Sequence, residues 1–66
     1  MREQLVNLIG RVIRFDYQGQ ERELVLEAVR ECRNGSVMAV GFDNIRQDHR
    51  QFNIANISDV HSLPNV

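Results

Sequence analysis

The stretch LVLEAVRECRNGSVMAVGF, residues 24–42, decides how this chain folds. Asn34-Gly35 interrupts it near the middle, between two runs rich in apolar and β-branched residues. Asn-Gly between strand-like segments is a strong hairpin signal, because both central residues of a type I′ turn need positive φ. The stretch therefore predicts two antiparallel strands joined by a type I′ turn. The arm after the turn, residues 36–42, is apolar on both faces, as a central strand covered on both sides should be. Gly41 within it implies a bend or a close backbone approach.

The arm before the turn, residues 21–33, reads in two ways. As a helix, Leu24, Val25, Ala28, Val29 and Cys32 form a stripe and Gly35 sits just past its end. As a strand, Leu24, Leu26 and Ala28 face inward, with Val25 and Val29 outward or re-aimed by a bulge. Leu26 would fall on the polar side of the helix, and Glu23, Glu27 and Glu31 would stack as like charges at i,i+4. Helix propensity pulls the other way, since Glu, Leu, Ala and Arg are good helix formers. The strand reading is preferred.

Upstream, residues 11–18 alternate. Ile13, Phe15 and Tyr17 share one face and Arg14 and Asp16 the other, the mark of a half-buried strand. Asp16 is the same-face neighbour with which Arg14 can pair. Gln18, Gly19 and Gln20 then make a turn. Before the strand, Leu5, Leu8, Ile9 and Val12 recur at helical spacing, which predicts a short helix over residues 2–9 stopped by Gly10. Downstream, residues 43–48 form a polar connection. Residues 49–55 alternate again, with Phe52 and Ile54 inward, Gln51 and Asn53 outward, and Arg50 on the Phe52 face. Residues 57–63 supply a last short strand or a helical turn, with Ile57, Val60 and Leu63 touching the core. Pro64 ends regular structure, and the final residues are expected to be loose.

The expected fold is mainly β (α+β): a short N-terminal helix, then a strongly bent antiparallel sheet of about five strands forming a small barrel. At 66 residues the chain is one domain. A chain of this size buries only ~60% of its unfolded surface, so pairing with a second copy would relieve a marginal core. With 42% hydrophobic and 26% charged residues it reads as globular. The net charge of -1 provides no general attraction for nucleic acid. All eight basic residues, however, are Arg, whose planar fork grips carboxylate or phosphate bidentately and stacks on rings. The single cysteine, Cys32, has no internal partner, and no apolar run approaches the ~20 residues of a membrane span. With no leader pattern in view, a cytoplasmic location is expected.

The order of parts is also informative. A short helix runs into Ile13-Arg14-Phe15-Asp16-Tyr17, followed by Arg22-Glu23 and a long hairpin, then by Arg50-x-Phe52-x-Ile54 and Ile57-x-x-Val60. From about residue 5 to residue 61 the chain resembles the WYL domain, a module with an Sm-like (SH3-like) barrel. The triplet that names the family falls at Val37-Met38-Ala39, and Asn56 stands where the family has Arg. The resemblance implies a regulatory ligand-sensing module with nucleotides or nucleic acid as ligands. It also implies that Arg22 and Arg50 are the basic residues that hold them.

The residues themselves point to the same chemistry. Arg50 lies beside Phe52, where a guanidinium over an aromatic surface can hold a phosphate or a base. Tyr17 ends the first strand with its hydroxyl in reach of a ligand, and Arg14 can extend the patch. Phe15, Phe42 and Phe52 read as core. His49 with Asp48 and Asp43 falls short of the three or four converging ligands a metal needs. Cys32 with either histidine lacks a third orienting group, so no catalytic residue, metal or cofactor is assigned. The expected function is a non-catalytic binding module for a nucleotide, nucleic acid or other anion. The alternative is a protein-interaction or self-assembling structural module using an exposed sheet edge, in particular the apolar strand at residues 37–40.

Overall fold

A computed structural model of the chain describes residues 1–64. One short helix, α1 (Arg2–Val6), precedes five strands: β1 (Val12–Tyr17), β2 (Gln20–Glu31), β3 (Val37–Asp43), β4 (Asp48–Asn53) and β5 (Ile57–Ser62). A 3-10 turn, Ile54–Asn56, leads into β5. The arm before Asn34 is thus a strand, and at 12 residues the longest. All pairings are antiparallel, in the order β4-β3-β2-β1-β5. Because β3 has a neighbour on each side, the backbone at residues 37–40 is not an edge open to a partner. The free edges belong to β4 and β5.

The sheet curls without closing. Laid flat, β1 and β4 would stand about 14 Å apart, three strand spacings. Instead the ring of Phe52 on β4 lies 5.2 Å from Phe15 and 4.9 Å from Tyr17, both on β1, edge-on to each. Two features make the curl possible. At Glu27 the β2–β3 register slips between Leu26 and Ala28, a bulge that bends the long strand. At Gly41 the β2 backbone comes so close that an added Cβ would collide with the Val25 carbonyl oxygen and press on Leu24. The close approach expected of Gly41 is therefore present.

The bulge also changes which side chains point inward. Leu24 and Leu26 are fully buried, but beyond Glu27 it is Val29 that packs on the core, opposite Ala39. Ala28, expected inward, turns to the other face opposite Val40. The core is completed by Leu5, Ile13, Phe15, Ala39, Phe52 and Ile57, with Leu8, Tyr17, Ile54 and Val60 packed against it. Leu63, the other residue expected to touch the core, is half-buried at the end of β5.

Three other expectations need correction. The helix is shorter than residues 2–9: after Val6 the chain continues as turns, with Leu8 N–H donating to Leu5 and Ile9 N–H to Val6, until Gly10 at φ 92 reverses it. Ile9 consequently leaves the buried stripe and is 43% exposed. The strand expected over residues 49–55 stops at Asn53, whose side chain accepts the Ala55 N–H and starts the 3-10 turn. Most informative, Asn34-Gly35 is not a type I′ turn. Positive φ occurs at Gly35 (87°) and not at Asn34. Gly35 N–H donates to Cys32 (3.0 Å) and Cys32 N–H to Ser36 (2.7 Å), while Asn34 Oδ1 accepts from Ser36 N–H (2.9 Å). That is the longer hairpin loop, a type I turn ending on a left-handed glycine. Positive φ at both central residues occurs instead at Gln18 (51°) and Gly19 (82°), between the paired residues Tyr17 and Gln20. The looseness expected of the last residues, Asn65 and Val66, lies outside the described residues.

Candidate functional site

Period-two alternation puts Tyr17 on the inner face of β1, Arg22 opposite Phe15 on β2, and Arg50 opposite Gly41 on β4. The curl then brings these three strands over one ring. The guanidinium carbon of Arg22 stands 5.6 Å from the Phe52 centroid and that of Arg50 stands 5.9 Å from it. Both are within the distance at which a ring quadrupole attracts a cation. Phe52 itself is 2% exposed, so the ring is the floor and the two cations and Tyr17 are the rim. All three rim residues are half-buried.

Two like charges on one ring repel unless something between them is negative. Among the described residues neither Arg22 nor Arg50 has a carboxylate within ion-pair distance. The Nε of Arg22 is buried and has no hydrogen-bond partner there. Leaving a buried charged donor without an acceptor costs about 1–3 kcal/mol or more. An anion seated at this rim would supply the missing acceptor.

Arg14 is elsewhere. One residue out of phase with Phe15, it points to the outer face, where its Nε donates to Glu23 Oε1 (3.1 Å) and Glu21 lies 4.0 Å away. Its partner is thus Glu23, across the β1–β2 pair, and not Asp16. Glu23 in turn accepts from Asn44 Nδ2 (2.9 Å). The hydrogen bonds from Asn44 and from Arg14 hold the Glu23 carboxyl below the usual carboxylate range, against a smaller opposing effect of burial. The structure gathers Tyr17, Arg22 and Arg50 and leaves Arg14 on the opposite face.

The acid and histidine candidates do not converge. Asp43 is fully buried, and its Oδ1 accepts the Ile45 and Arg46 N–H groups at 2.9 Å each, which fixes the β3–β4 loop. His49 faces Glu27 (3.3 Å) and lies edge-on to Phe42. His61 borders a separate cleft of about 170 Å³ with Phe15, Asp16, Glu21 and Asp59. No group of three or more metal-ligating side chains exists among the described residues. Nor is any helix there long and apolar enough to cross a membrane. Phe52 meets both expectations held of it, as core and as the aromatic surface beneath Arg50. The signal was Arg50 two residues before it, but its encounter with Arg22 and Tyr17 depends on the curl. Comparison of the chain with protein-family models, curated proteins and solved structures finds no match.

Proposed function

We propose that this chain is a non-catalytic binding module that holds an anionic ligand, a nucleotide or a nucleic-acid phosphate, between Arg22 and Arg50. The observation that carries the reading is the convergence on Phe52 of two guanidinium groups that have no carboxylate partner among the described residues, where the buried Nε of Arg22 also lacks an acceptor. Arg presents five N–H donors in a fixed fork, so two of them can bracket one phosphate while a base lies against Tyr17. The curled five-stranded order also suits the Sm-like barrel that the WYL resemblance implies, which supports a sensing or regulatory role. The ligand carries recognition and no bond is made or broken.

The test is fluorescence anisotropy with a labelled single-stranded oligonucleotide at low and high salt. Binding that weakens about tenfold in Arg22→Ala and in Arg50→Ala is the expected result, the loss of one charge-assisted contact each. Equal affinity for the parent chain and both variants would overturn the site. A self-assembling structural module is the second reading, favoured by the two free sheet edges at β4 and β5.

A further inference from the structure

Each of the two rim arginines has an acid on one side and uncharged residues on the other. Along β4 the inner face reads Asp48, Arg50, Phe52, and along β2 it reads Gln20, Arg22, Leu24. Leu24 pairs with Asp43, and Asp43 pairs with Asp48, so one acidic spot lies beyond both arginines. Asp43 is fully buried, with Oδ1 held by the Ile45 and Arg46 N–H groups and Oδ2 buried without a hydrogen-bond partner among the described residues. Asp48 is exposed. No ion pair joins either acid to an arginine among the described residues, Arg46 of the connecting loop included. The spot therefore does not neutralise the rim, but it repels an anion that continues past it. The opposite side carries Tyr17, with Gln20 and Ile57 paired to it, and no charge.

We infer that the rim takes the end of its ligand: a terminal phosphate monoester, of a free nucleotide or of a single strand, in preference to a phosphodiester inside a strand. The inference rests on the anion-binding reading of Arg22 and Arg50 and names the class of phosphate. Charge gives the first reason. Both guanidinium groups stand over one buried ring without a carboxylate partner among the described residues. A monoester brings a charge of about −1.5 to −2 near neutral pH and three terminal oxygens, enough to answer both forks. A diester brings a single charge and leaves one guanidinium uncompensated over the ring. The path of the chain gives the second reason. A strand running through the rim would set its next phosphate against Asp43 and Asp48. A ligand that ends there leaves only over the uncharged side, with its first base against the Tyr17 ring.

Anisotropy titrations with two 3′-labelled oligonucleotides of one sequence, one 5′-phosphorylated and one ending in a 5′-hydroxyl, test this. The phosphorylated strand should bind at least about tenfold more tightly, the worth of one added charge-assisted contact, and the preference should fall to about twofold or less in Arg22→Met and in Arg50→Met. Asp48→Asn, an exposed change that leaves the fold intact, should tighten the 5′-hydroxyl strand more than the phosphorylated one and so narrow the preference. Competition by an unlabelled nucleoside 5′-monophosphate separates the sources: displacement points to a free nucleotide, and displacement by the phosphorylated strand alone points to a strand end. Either result supports a monoester. Equal affinity for the two strands, with both weakened in the arginine variants, would overturn this inference and leave the anion site standing. A preference that persists in the arginine variants would overturn it too, because the end would then be held elsewhere. Binding of neither strand would overturn both readings.

Discussion

The sheet gives Arg14 on one face and the pair Arg22 and Arg50 on the other opposite surroundings. On the outer face Arg14 is neutralised by Glu23, which is itself held by Asn44. On the inner face Arg22 and Arg50 stand over one phenyl ring with no carboxylate among the described residues. A single step in the β1–β2 ladder separates the two situations, because Arg14 opposes Glu23 while Phe15 opposes Arg22. Charge count therefore says little about a small β protein's partners. What matters is which face each charge occupies and whether that face already carries its counter-charge.

The contrast can be broken most severely at its floor. Phe52→Ala removes the ring that both inner arginines share and that meets Phe15 and Tyr17. A loss of about 3–5 kcal/mol is expected in urea unfolding, enough to leave so small a domain largely unfolded. Arg22→Met sharpens the contrast with a smaller change. It keeps the apolar stem and removes the buried donor, so unfolding free energy should hold within about 1 kcal/mol while anion binding falls. A structural arginine would show the reverse, lost stability with retained binding.

The outer face should respond to pH instead. Glu23 has a folded pKa below its unfolded value, so its contribution to stability is fully present above the unfolded carboxylate range, near 4.3, and is lost as pH falls through the lowered folded value. In Glu23→Gln, acid unfolding followed by circular dichroism should lose that part of its pH dependence. An identical acid limb in parent and variant would mean that Asn44 and Arg14 do not hold the carboxylate in solution.

The smallest effect concerns the hairpins. Gln18 occupies a positive-φ position in a two-residue turn, where Asn is better tolerated. Gln18→Asn should raise the melting midpoint by about 2 °C, a few tenths of a kcal/mol. These turns also mark where local reading succeeds. Alternation in residues 11–18 places Ile13, Phe15 and Tyr17 inward because a strand's period is local and rigid. Leu26 and the row of glutamates rightly favour strand in β2. The turn type at Asn34-Gly35 is not local: β2 and β3 pair at Glu31 and Val37, which leaves five residues to connect and selects the longer loop. The exchange of Ala28 for Val29 depends on the bulge at Glu27 in the same way. For the rim, Arg50 beside Phe52 was legible from spacing. Arg22 came only through the resemblance, since its meeting with Phe52 requires a curl that joins β1 and β2 to β4.

The central claim is that Arg22 and Arg50 on the inner face, and not Arg14 paired with Glu23 on the outer face, hold the anion. One oligonucleotide titration with Arg14→Ala, Arg22→Ala and Arg50→Ala side by side tests it most directly. The account predicts affinity within twofold of the parent for Arg14→Ala and about tenfold weaker for each of the other two. An Arg14→Ala loss as large as theirs, or no loss in any of the three, would contradict it.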